Sequence, residues 1–309
     1  MSTPLNLPSQ ARHLHWGVQA LWTELEPLLP GLSVEVLARS ASTNTELLER
    51  ARIVPPAQAH RAGDPAEIVT RVGRRQADTQ PCLLVAEHQM AGRGRMGRGW
   101  QSTQGTSLTF SLALPLTPPA WSGLSLAVGV ALAEVLQPAP AEASPRLGLK
   151  WPNDLYLVGP GGAAGSAGGR KLGGILVETL AVGSQRLAVI GIGLNIAPIN
   201  GQLAAELGES PACLREIDPH ASAPATLARI ALPLVRALKR FDQDGFAAFA
   251  ERYAALDLLL DQGVLTTDPR APQGVARGVD SQGALRVETS SGLHSISSGE
   301  VSVRFTGST

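Results

Sequence analysis

The chain has 309 residues, 44% of them hydrophobic, and its mean hydropathy of +0.06 is typical of a soluble globular protein with a substantial core. No apolar run approaches the roughly 20 residues that cross a bilayer, and the N-terminus lacks the pattern of a signal peptide, so we expect a cytoplasmic protein with no membrane contact. The 26 basic and 26 acidic residues cancel, which excludes a global electrostatic footprint for nucleic acid.

The first half of the chain predicts alternating helices and strands. In chain order, apolar spacing predicts a helix over 16–29, a strand over 33–38, a helix from 42, strands over 83–87 and 108–114, a helix over 124–135 and a strand over 147–151. Thr43 and Glu46 have the spacing of a capping box, so helix capping is the default role of the polar residues there. Residues 52–80, rich in Ala, Arg and Pro, predict an enlarged surface loop.

The second half predicts a change from mixed to all-β structure. Residues 159–169 are a glycine-rich segment that predicts a flexible insertion. The elements predicted after it are hairpin strands over 174–180 and 187–192, a helix over 227–241 bent at Pro233, a helix over 245–256, and β runs at 275–279, 285–288, 293–296 and 301–305. We therefore divide the chain into domains 1–259 and 260–309, the second most simply a small barrel.

The stretch 86–100 has the most distinctive composition. It interleaves four glycines with three arginines: Gly92, Gly94, Gly97, Gly99, Arg93, Arg95 and Arg98. Glycine lets backbone N–H groups approach a ligand, and arginine presents a fork of donors to anions, so the stretch predicts an anion-binding loop; a solvated basic loop is the alternative. An alternating strand follows instead of a helix, which excludes a dinucleotide-binding motif, and no phosphate-binding P-loop pattern is present.

Three further motifs have ordinary structural explanations when taken alone. Residues 150–154, Lys-Trp-Pro-Asn-Asp, could be a simple turn after a strand. Lys171 begins an apolar strand and could be a solvated surface lysine. Gly191 and Gly193 lie inside an apolar strand, which indicates close backbone approach to another group. Cys82 and Cys213 match no metal-ligand spacing, so we expect two free, partly buried thiols.

The order and spacing of these motifs resemble those of the biotin protein ligases. The motifs that carry the resemblance are 42–44 (Ser-Thr-Asn), 89–100, 150–154, 171–178 and 191–195, with a similar ending at 278–285 and 298–304. Thr103 stands where a proline is common, Arg170 replaces a usual glycine, and the segments 52–80 and 159–169 are longer than in a minimal member. None of these departures removes a ligand-contacting side chain.

The resemblance implies an α+β fold: a mixed β-sheet flanked by helices, like that of class II aminoacyl-tRNA synthetases, followed by an SH3-like β-barrel. It also implies a two-step reaction. Biotin and ATP, with Mg²⁺, form biotinyl-5′-AMP, and a lysine of a biotin carboxyl carrier protein of a biotin-dependent carboxylase then attacks the acyl carbon.

Site residues are implied by the resemblance position by position. They are a catalytic set of Lys171, Arg93, Arg95 and Asp154; a biotin-binding set of Ser42, Thr43, Asn44, Gln89, Gly92, Arg93, Gly94, Arg95, Lys171 and Gly174; and a nucleotide-binding set of Arg95, Arg98, Trp100, Lys150, Asn153 and Asn195, with no metal held by protein groups alone. Lys171 is expected near the biotin carboxylate, the arginines near carboxylate and phosphate, and Asp154 as a candidate base for the attacking amine.

Two other functions compete with this interpretation. One is a lipoate ligase of the same superfamily, and the other is a catalytically silent biotin- or nucleotide-binding protein. Only about 33 residues precede the first predicted strand, too few for the DNA-binding domain that many members carry, so we expect no DNA binding. A homodimer is possible, and the sequence does not distinguish it from a monomer.

Overall fold

The computed structural model describes residues 13–52, 68–73, 79–137, 147–159, 169–198, 211–299 and 301–306. Within these ranges the chain forms an eight-stranded mixed sheet with helices on both faces, followed by a five-stranded antiparallel sheet. The predicted α+β class is therefore confirmed. No helix in the described ranges has the length and apolar character needed to cross a membrane.

The helices are α1 (Val18–Leu25), α2 (Thr43–Arg52), α3 (Leu124–Leu136), α4 (Ala223–Asp244) and α5 (Ala250–Ala254). The strands of the first part are β1 (Ser33–Ser40), β2 (Ile68–Val72), β3 (Cys82–Gln89), β4 (Gly92–Arg93), β5 (Gly99–Trp100), β6 (Ser107–Pro115), β7 (Leu147–Lys150), β8 (Asp154–Leu157), β9 (Arg170–Val182) and β10 (Gln185–Asn195). The second sheet contains β11 (Gly263–Thr266), β12 (Gln273–Val279), β13 (Leu285–Thr289), β14 (Gly292–Ile296) and β15 (Val303–Phe305).

The large sheet brings two loops together at one edge. Its strand order is β2-β1-β3-β6-β10-β9-β8-β7, and β1 and β3 run parallel, with Ser40 opposite Gln89. Because parallel strands end at the same edge of a sheet, the chain leaves β1 for α2 beside the point where it leaves β3 for the glycine–arginine stretch. The strands β6, β10, β9 and β8 continue this surface sideways through antiparallel pairs.

Both faces of the large sheet are covered, which explains its nearly continuous apolar strands. On one face, Leu47 and Leu48 of α2 belong to a buried cluster with Leu84 of β3 and Val189 of β10. On the other face, α1, α3 and α4 join a larger core that includes Leu83 and many other apolar residues. Alternate residues of a strand point to opposite faces, so neighbours such as Leu83 and Leu84 enter different clusters.

Several predicted elements differ from the structure. The first helix is shorter than the predicted 16–29, because α1 ends at Leu25 shortly before a proline. The loop expected over 52–80 is wrong in part, since β2 lies within it as an edge strand paired with β1. The strands β8 and β11 were not predicted. The rest of the 52–80 loop outside 68–73 and 79–80, and residues 160–168 of the predicted insertion, lie outside the described residues. Both cysteines are free, as expected, but they are fully buried, whereas partial burial was expected.

A buried carboxyl group lies where the first part of the chain joins the second. Asp257 is fully buried and forms a parallel bridge with Leu149 of β7. Burial raises the pKa of Asp257 from 3.8 to about 6, and this outweighs the opposing hydrogen bond from the Leu259 N–H. Because the folded state holds this proton more tightly than the unfolded chain, stability falls as pH rises from about 4 to 6 and stays lower above that range.

Replacing Asp257 with Asn should therefore stabilise the protein at pH 8, by up to about 3 kcal/mol at roughly 1.4 kcal/mol per unit of pKa shift. The gain should shrink to nothing near pH 3, about one unit below the unfolded-state pKa of 3.8, where the wild-type carboxyl is protonated in both states. Thermal unfolding at the two pH values measures it. Asp244→Asn, at an exposed carboxylate paired with Arg240, is the control and should show no such pH-dependent gain. An Asp257→Asn gain that is equal at both pH values would contradict the assignment.

Candidate active site

An open cleft lies over the ends of β1 and β3 and extends across β6, β10, β9 and β8. All but two of the residues expected in the site line this cleft, and the two exceptions are Gly92 and Asn195. The structure thus brings together residues as far apart in the chain as Ser42 and Lys171.

One end of the cleft is formed by neutral polar groups. The Thr43 backbone N–H donates to Gln89 Oε1 at 2.8 Å, which joins the start of α2 to the end of β3. The Gln89 backbone N–H donates to Ser102 Oγ at 2.7 Å, which fixes the return of the glycine–arginine stretch to the same place. Ser42, Thr43 and Gln89 are all buried, so their polar groups are held in a defined arrangement rather than solvated.

Ser42, and not Thr43, caps the N-terminus of α2. Ser42 Oγ accepts the Thr45 N–H at 3.4 Å, and the Ser42 carbonyl accepts the Glu46 N–H at 2.9 Å. The Thr43 hydroxyl instead lies 2.6 Å from Ser111 Oγ on β6. The predicted Thr43–Glu46 capping box is therefore wrong, because Thr43 is already inside the helix and its hydroxyl faces the sheet.

Asn44 lines the cleft, but its amide is bound within the protein. Asn44 Nδ2 donates to Leu176 O at 3.2 Å and to Glu178 Oε2 at 3.0 Å, and Asn44 Oδ1 accepts from Ser111 Oγ at 2.6 Å. A Cβ on Gly191 would lie 2.3 Å from Asn44 Oδ1, which explains the first of the two strand glycines. Neither Ser111 nor Glu178 was expected in the site.

The glycine–arginine stretch folds as a small β4–β5 hairpin whose side chains serve different ends of the cleft. Arg93 donates to Glu178 Oε1 at 3.0 Å and to Thr45 Oγ1 at 3.1 Å, so it anchors the hairpin to β9 and α2. Gly92 pairs with Trp100, and a Cβ there would lie 2.4 Å from the Trp100 carbonyl oxygen. Close pairing of these two strands therefore accounts for Gly92, although it does not line the cleft.

The other end of the cleft is strongly cationic. Its lining includes four cationic side chains and one carboxylate, namely Arg95, Arg98, Lys150, Lys171 and Asp154. Lys171 Nζ lies 2.7 Å from Asp154 Oδ1. Burial lowers the pKa of Lys150, and the neighbouring Lys171, Arg98 and Arg304 lower it further against the attraction of Asp154. Burial likewise lowers the pKa of Arg95. Uncompensated positive charge in a partly buried site favours an anionic ligand.

The chain at the start of β15 contributes one wall of this cationic end through Val301, Ser302 and Val303, which the sequence did not lead us to expect. Arg95 donates to the backbone carbonyl groups of Ser298, Gly299 and Val301, at 2.6 Å for Gly299 and 3.4 Å for Val301. Arg98 donates to Ser302 Oγ at 3.3 Å. These contacts join the hairpin to a segment about 200 residues later in the chain.

The two asparagines expected near the nucleotide are placed differently. Asn153 lines the cleft, donates to Ile175 O at 2.8 Å and accepts from Arg95 at 3.4 Å. Asn195 is buried outside the lining, where Nδ2 donates to Ala212 O at 3.0 Å and to Lys171 O at 3.5 Å. Asn195 therefore connects β10 to the backbone beside Lys171, and direct contact of its side chain with a nucleotide stays a prediction.

A substitution at Gly193 should disturb the cleft without touching its polar groups. A Cβ at this position would lie 2.4 Å from Trp100 Cε2, so Gly193→Ala must displace the indole that lines the cleft. Since a shift of about 1 Å in a site can cost up to about 100-fold in activity, we expect at least a tenfold loss of ligand affinity by calorimetry. Gly159→Ala, where a Cβ meets no atom of the described residues within 4 Å, is the control. Equal affinities for both variants would contradict this packing.

Two parts of the chain match known sequence families. Residues 73–195 match the biotin/lipoate A/B protein ligase family, and residues 264–304 match the biotin protein ligase C-terminal domain. The bifunctional ligase/repressor BirA of Salmonella typhimurium is 36% identical over 224 residues, which are 71% of this chain and 66% of that protein. This chain thus spans just under two thirds of that relative.

Two further relatives align over most of their length. The biotin–[acetyl-CoA-carboxylase] ligase of Mycobacterium tuberculosis is 31% identical over 283 residues, which are 87% of this chain and 88% of that protein. The solved structure of the biotin protein ligase from Aquifex aeolicus in complex with biotin and ATP superposes with a TM-score of 0.64 at 25% identity, covering 88% of this chain and 99% of that one.

Proposed function

The chain belongs to the biotin protein ligase family, and from this we propose that it activates biotin as biotinyl-5′-AMP and transfers it to one lysine of a biotin carboxyl carrier protein. One observation carries the proposal. The same cleft has a neutral polar end, suited to a ureido ring, and a cationic end, suited to a carboxylate and phosphates. A ligand with biotin's two ends would lie along it.

The polar end supports recognition of the ureido ring. Ureido groups carry two N–H donors and one carbonyl acceptor, and a buried site that pairs them discriminates strongly against analogues that lack them. Ser42, Thr43 and Gln89 offer hydroxyl and amide groups there, with Trp100 and Phe110 among the apolar lining.

The cationic end supports the activation step. In that step a carboxylate oxygen bonds to the α-phosphorus of ATP, the bond to the β-phosphate oxygen breaks, and pyrophosphate leaves. Two anions must approach each other, so fixed positive groups lower the barrier most. We propose that Lys171, Lys150 and Arg95, which line this end of the cleft, bind these oxygens. The Arg95 guanidinium is held by a hydrogen bond to the Gly299 carbonyl group.

The residues present fit a magnesium ion that arrives with the nucleotide. No cluster of three or more His, Cys, Asp or Glu side chains occurs in the described ranges, and among the described residues Asp154 is the one carboxylate that lines the cleft. Mg²⁺ at nucleotide sites is usually held by one or two carboxylates together with phosphate oxygens, and it neutralises phosphate charge. We propose Asp154 as the protein's ligand.

The transfer step needs a neutral amine at the acyl carbon, with AMP as leaving group. A free lysine has a pKa of about 10.4, so the acceptor lysine must lose its proton as it attacks. Asp154 remains the candidate proton acceptor, although Lys171 occupies Asp154 Oδ1 at 2.7 Å in this structure. Movement of Lys171 towards the substrate carboxylate would free that oxygen.

Exchange of labelled pyrophosphate into ATP tests the activation step. We expect exchange with biotin and none without it. A lipoate ligase would support exchange with lipoate instead, and a silent binding protein would support none with either acid while still binding one of them. Omitting Mg²⁺ and adding a chelator should abolish the exchange.

A further inference from the structure

We propose that Ser111 sets the direction of the Thr43 hydroxyl, so that Thr43 presents an acceptor and not a donor to the ligand. The inference rests on the proposed function, because it assigns a ureido N–H of biotin as the group that Thr43 meets. The inference is based on four oxygen atoms that form a row of three successive contacts: Gln89 Oε1, Thr43 Oγ1, Ser111 Oγ and Asn44 Oδ1.

The two ends of this row are fixed as acceptors. Gln89 Oε1 receives the Thr43 backbone N–H at 2.8 Å, so the oxygen and not the nitrogen of this amide must face Thr43. Asn44 Nδ2 faces Leu176 O and Glu178 Oε2, which only accept, so Asn44 Oδ1 must face Ser111. Amide orientation is inferred from such partners, and here both amides are determined.

Proton counting then decides the direction of the row. Its three contacts, of 3.1, 2.6 and 2.6 Å, share only the two hydroxyl protons of Thr43 and Ser111. If the Thr43 hydroxyl donated to Gln89, the single Ser111 proton could be donated either to Thr43 or to Asn44. The other of these two 2.6 Å contacts would then have no proton, and two oxygen lone pairs would repel each other. If Thr43 donates to Ser111 and Ser111 to Asn44, only the 3.1 Å contact lacks a proton, and that distance exceeds the usual O–H···O range of about 2.5–3.0 Å.

The second arrangement has a direct consequence for the ligand. With its proton committed to Ser111, the Thr43 hydroxyl can only offer a lone pair towards the cleft, and a lone pair selects an N–H. In an analogue with an oxygen in place of that N–H, the lone pairs of the new oxygen would repel those of the Thr43 hydroxyl. Ser111 itself is fully buried and does not line the cleft, so it is a positioning residue that acts through Thr43.

The experiment compares biotin with its two carbamate regioisomers, in which one or the other ureido N–H is replaced by oxygen. For each compound, kcat/KM for pyrophosphate exchange is measured with wild type and with Ser111→Ala. For wild type, kcat/KM should be at least about 100-fold higher with biotin than with the regioisomer whose oxygen replaces the N–H that faces Thr43, because a site with an unmatched buried polar group rejects the ligand strongly. In Ser111→Ala only the distant Gln89 Oε1 holds the proton, so the Thr43 hydroxyl can turn and donate, and this preference should fall about tenfold.

The other regioisomer is the internal control, since its preference should not change. A preference that stays at the wild-type value, or falls equally for both regioisomers as general loosening would cause, overturns the proposal. Ser111→Cys leaves no cavity, because its thiol is larger than the hydroxyl, and it supplies only a weak hydrogen-bonding group. It should shift the preference in the same direction, which covers poor folding of the alanine variant. Failure of the proposed function would look different, because wild type would then show no biotin-dependent exchange at all.

Discussion

Replacing Lys171 with alanine is expected to slow biotin-dependent pyrophosphate exchange by about 10²–10³-fold, the cost of removing one fixed group that stabilises transition-state charge. Lys171 begins β9 at the cationic end of the cleft, with its Nζ 2.7 Å from Asp154 Oδ1. The loss should appear mainly in kcat, because the charge that Lys171 offsets grows as the carboxylate meets the α-phosphate.

The adjacent basic residue provides the control. Arg170 lies on the same strand but pairs with Glu216 at an exposed position outside the cleft, so Arg170→Ala should retain nearly full exchange activity. Neither variant should unfold, since the side chains of both ion pairs are partly exposed and such pairs contribute about 1 kcal/mol or less. Unchanged pyrophosphate exchange in Lys171→Ala would remove Lys171 from the proposed role.

Replacing Arg95 with alanine should speed the release of biotinyl-5′-AMP by about 10–100-fold, in line with the loss of charge-assisted hydrogen bonds worth about 1.5–3 kcal/mol. Arg95 joins the β4–β5 hairpin to the Ser298, Gly299 and Val301 carbonyl groups and to Asn153. Its loss removes a cation from the cleft and also frees the hairpin from the segment between β14 and β15.

Arg95→Lys separates these two effects. A lysine keeps the charge but lacks the planar fork that reaches several carbonyl groups at once, so release should be nearly as fast as in Arg95→Ala if anchoring dominates. Arg98→Ala, which loses a single 3.3 Å contact with Ser302, should have a smaller effect. Stopped-flow measurement of the adenylate's dissociation rate checks all three variants, and an unaltered rate in Arg95→Ala would argue against a hairpin held closed by the segment between β14 and β15.

Local sequence was a good guide to which residues gather in the cleft. The Ser-Thr-Asn motif, the glycine–arginine stretch and Lys171 lie where the sequence placed them, because each follows or begins a strand whose apolar pattern is clear. The parallel pairing of β1 and β3 then brings Thr43 and Gln89 together.

The contacts that site residues make with distant parts of the chain could not be predicted from local sequence. Ser111 is one of three polar residues that alternate with apolar ones in β6, after Ser107 and Thr109, and nothing near it in the chain indicates that Thr43 and Asn44 lie against it. The carbonyl groups that bind Arg95 belong to residues between β14 and β15, about 200 residues later in the chain, and the sequence does not show which backbone carbonyl groups will accept hydrogen bonds. Asn195 also donates to a backbone oxygen, that of Ala212, and this partner was not indicated by the sequence.

The central claim is tested most directly by incubating a biotin carboxyl carrier domain with the protein, biotin, ATP and Mg²⁺, and weighing the carrier by mass spectrometry. We predict a single mass increase of one biotinyl group, located by fragmentation on one lysine and absent when ATP is omitted. An unmodified carrier, or a carrier that gains a lipoyl group from lipoate and nothing from biotin, would contradict it.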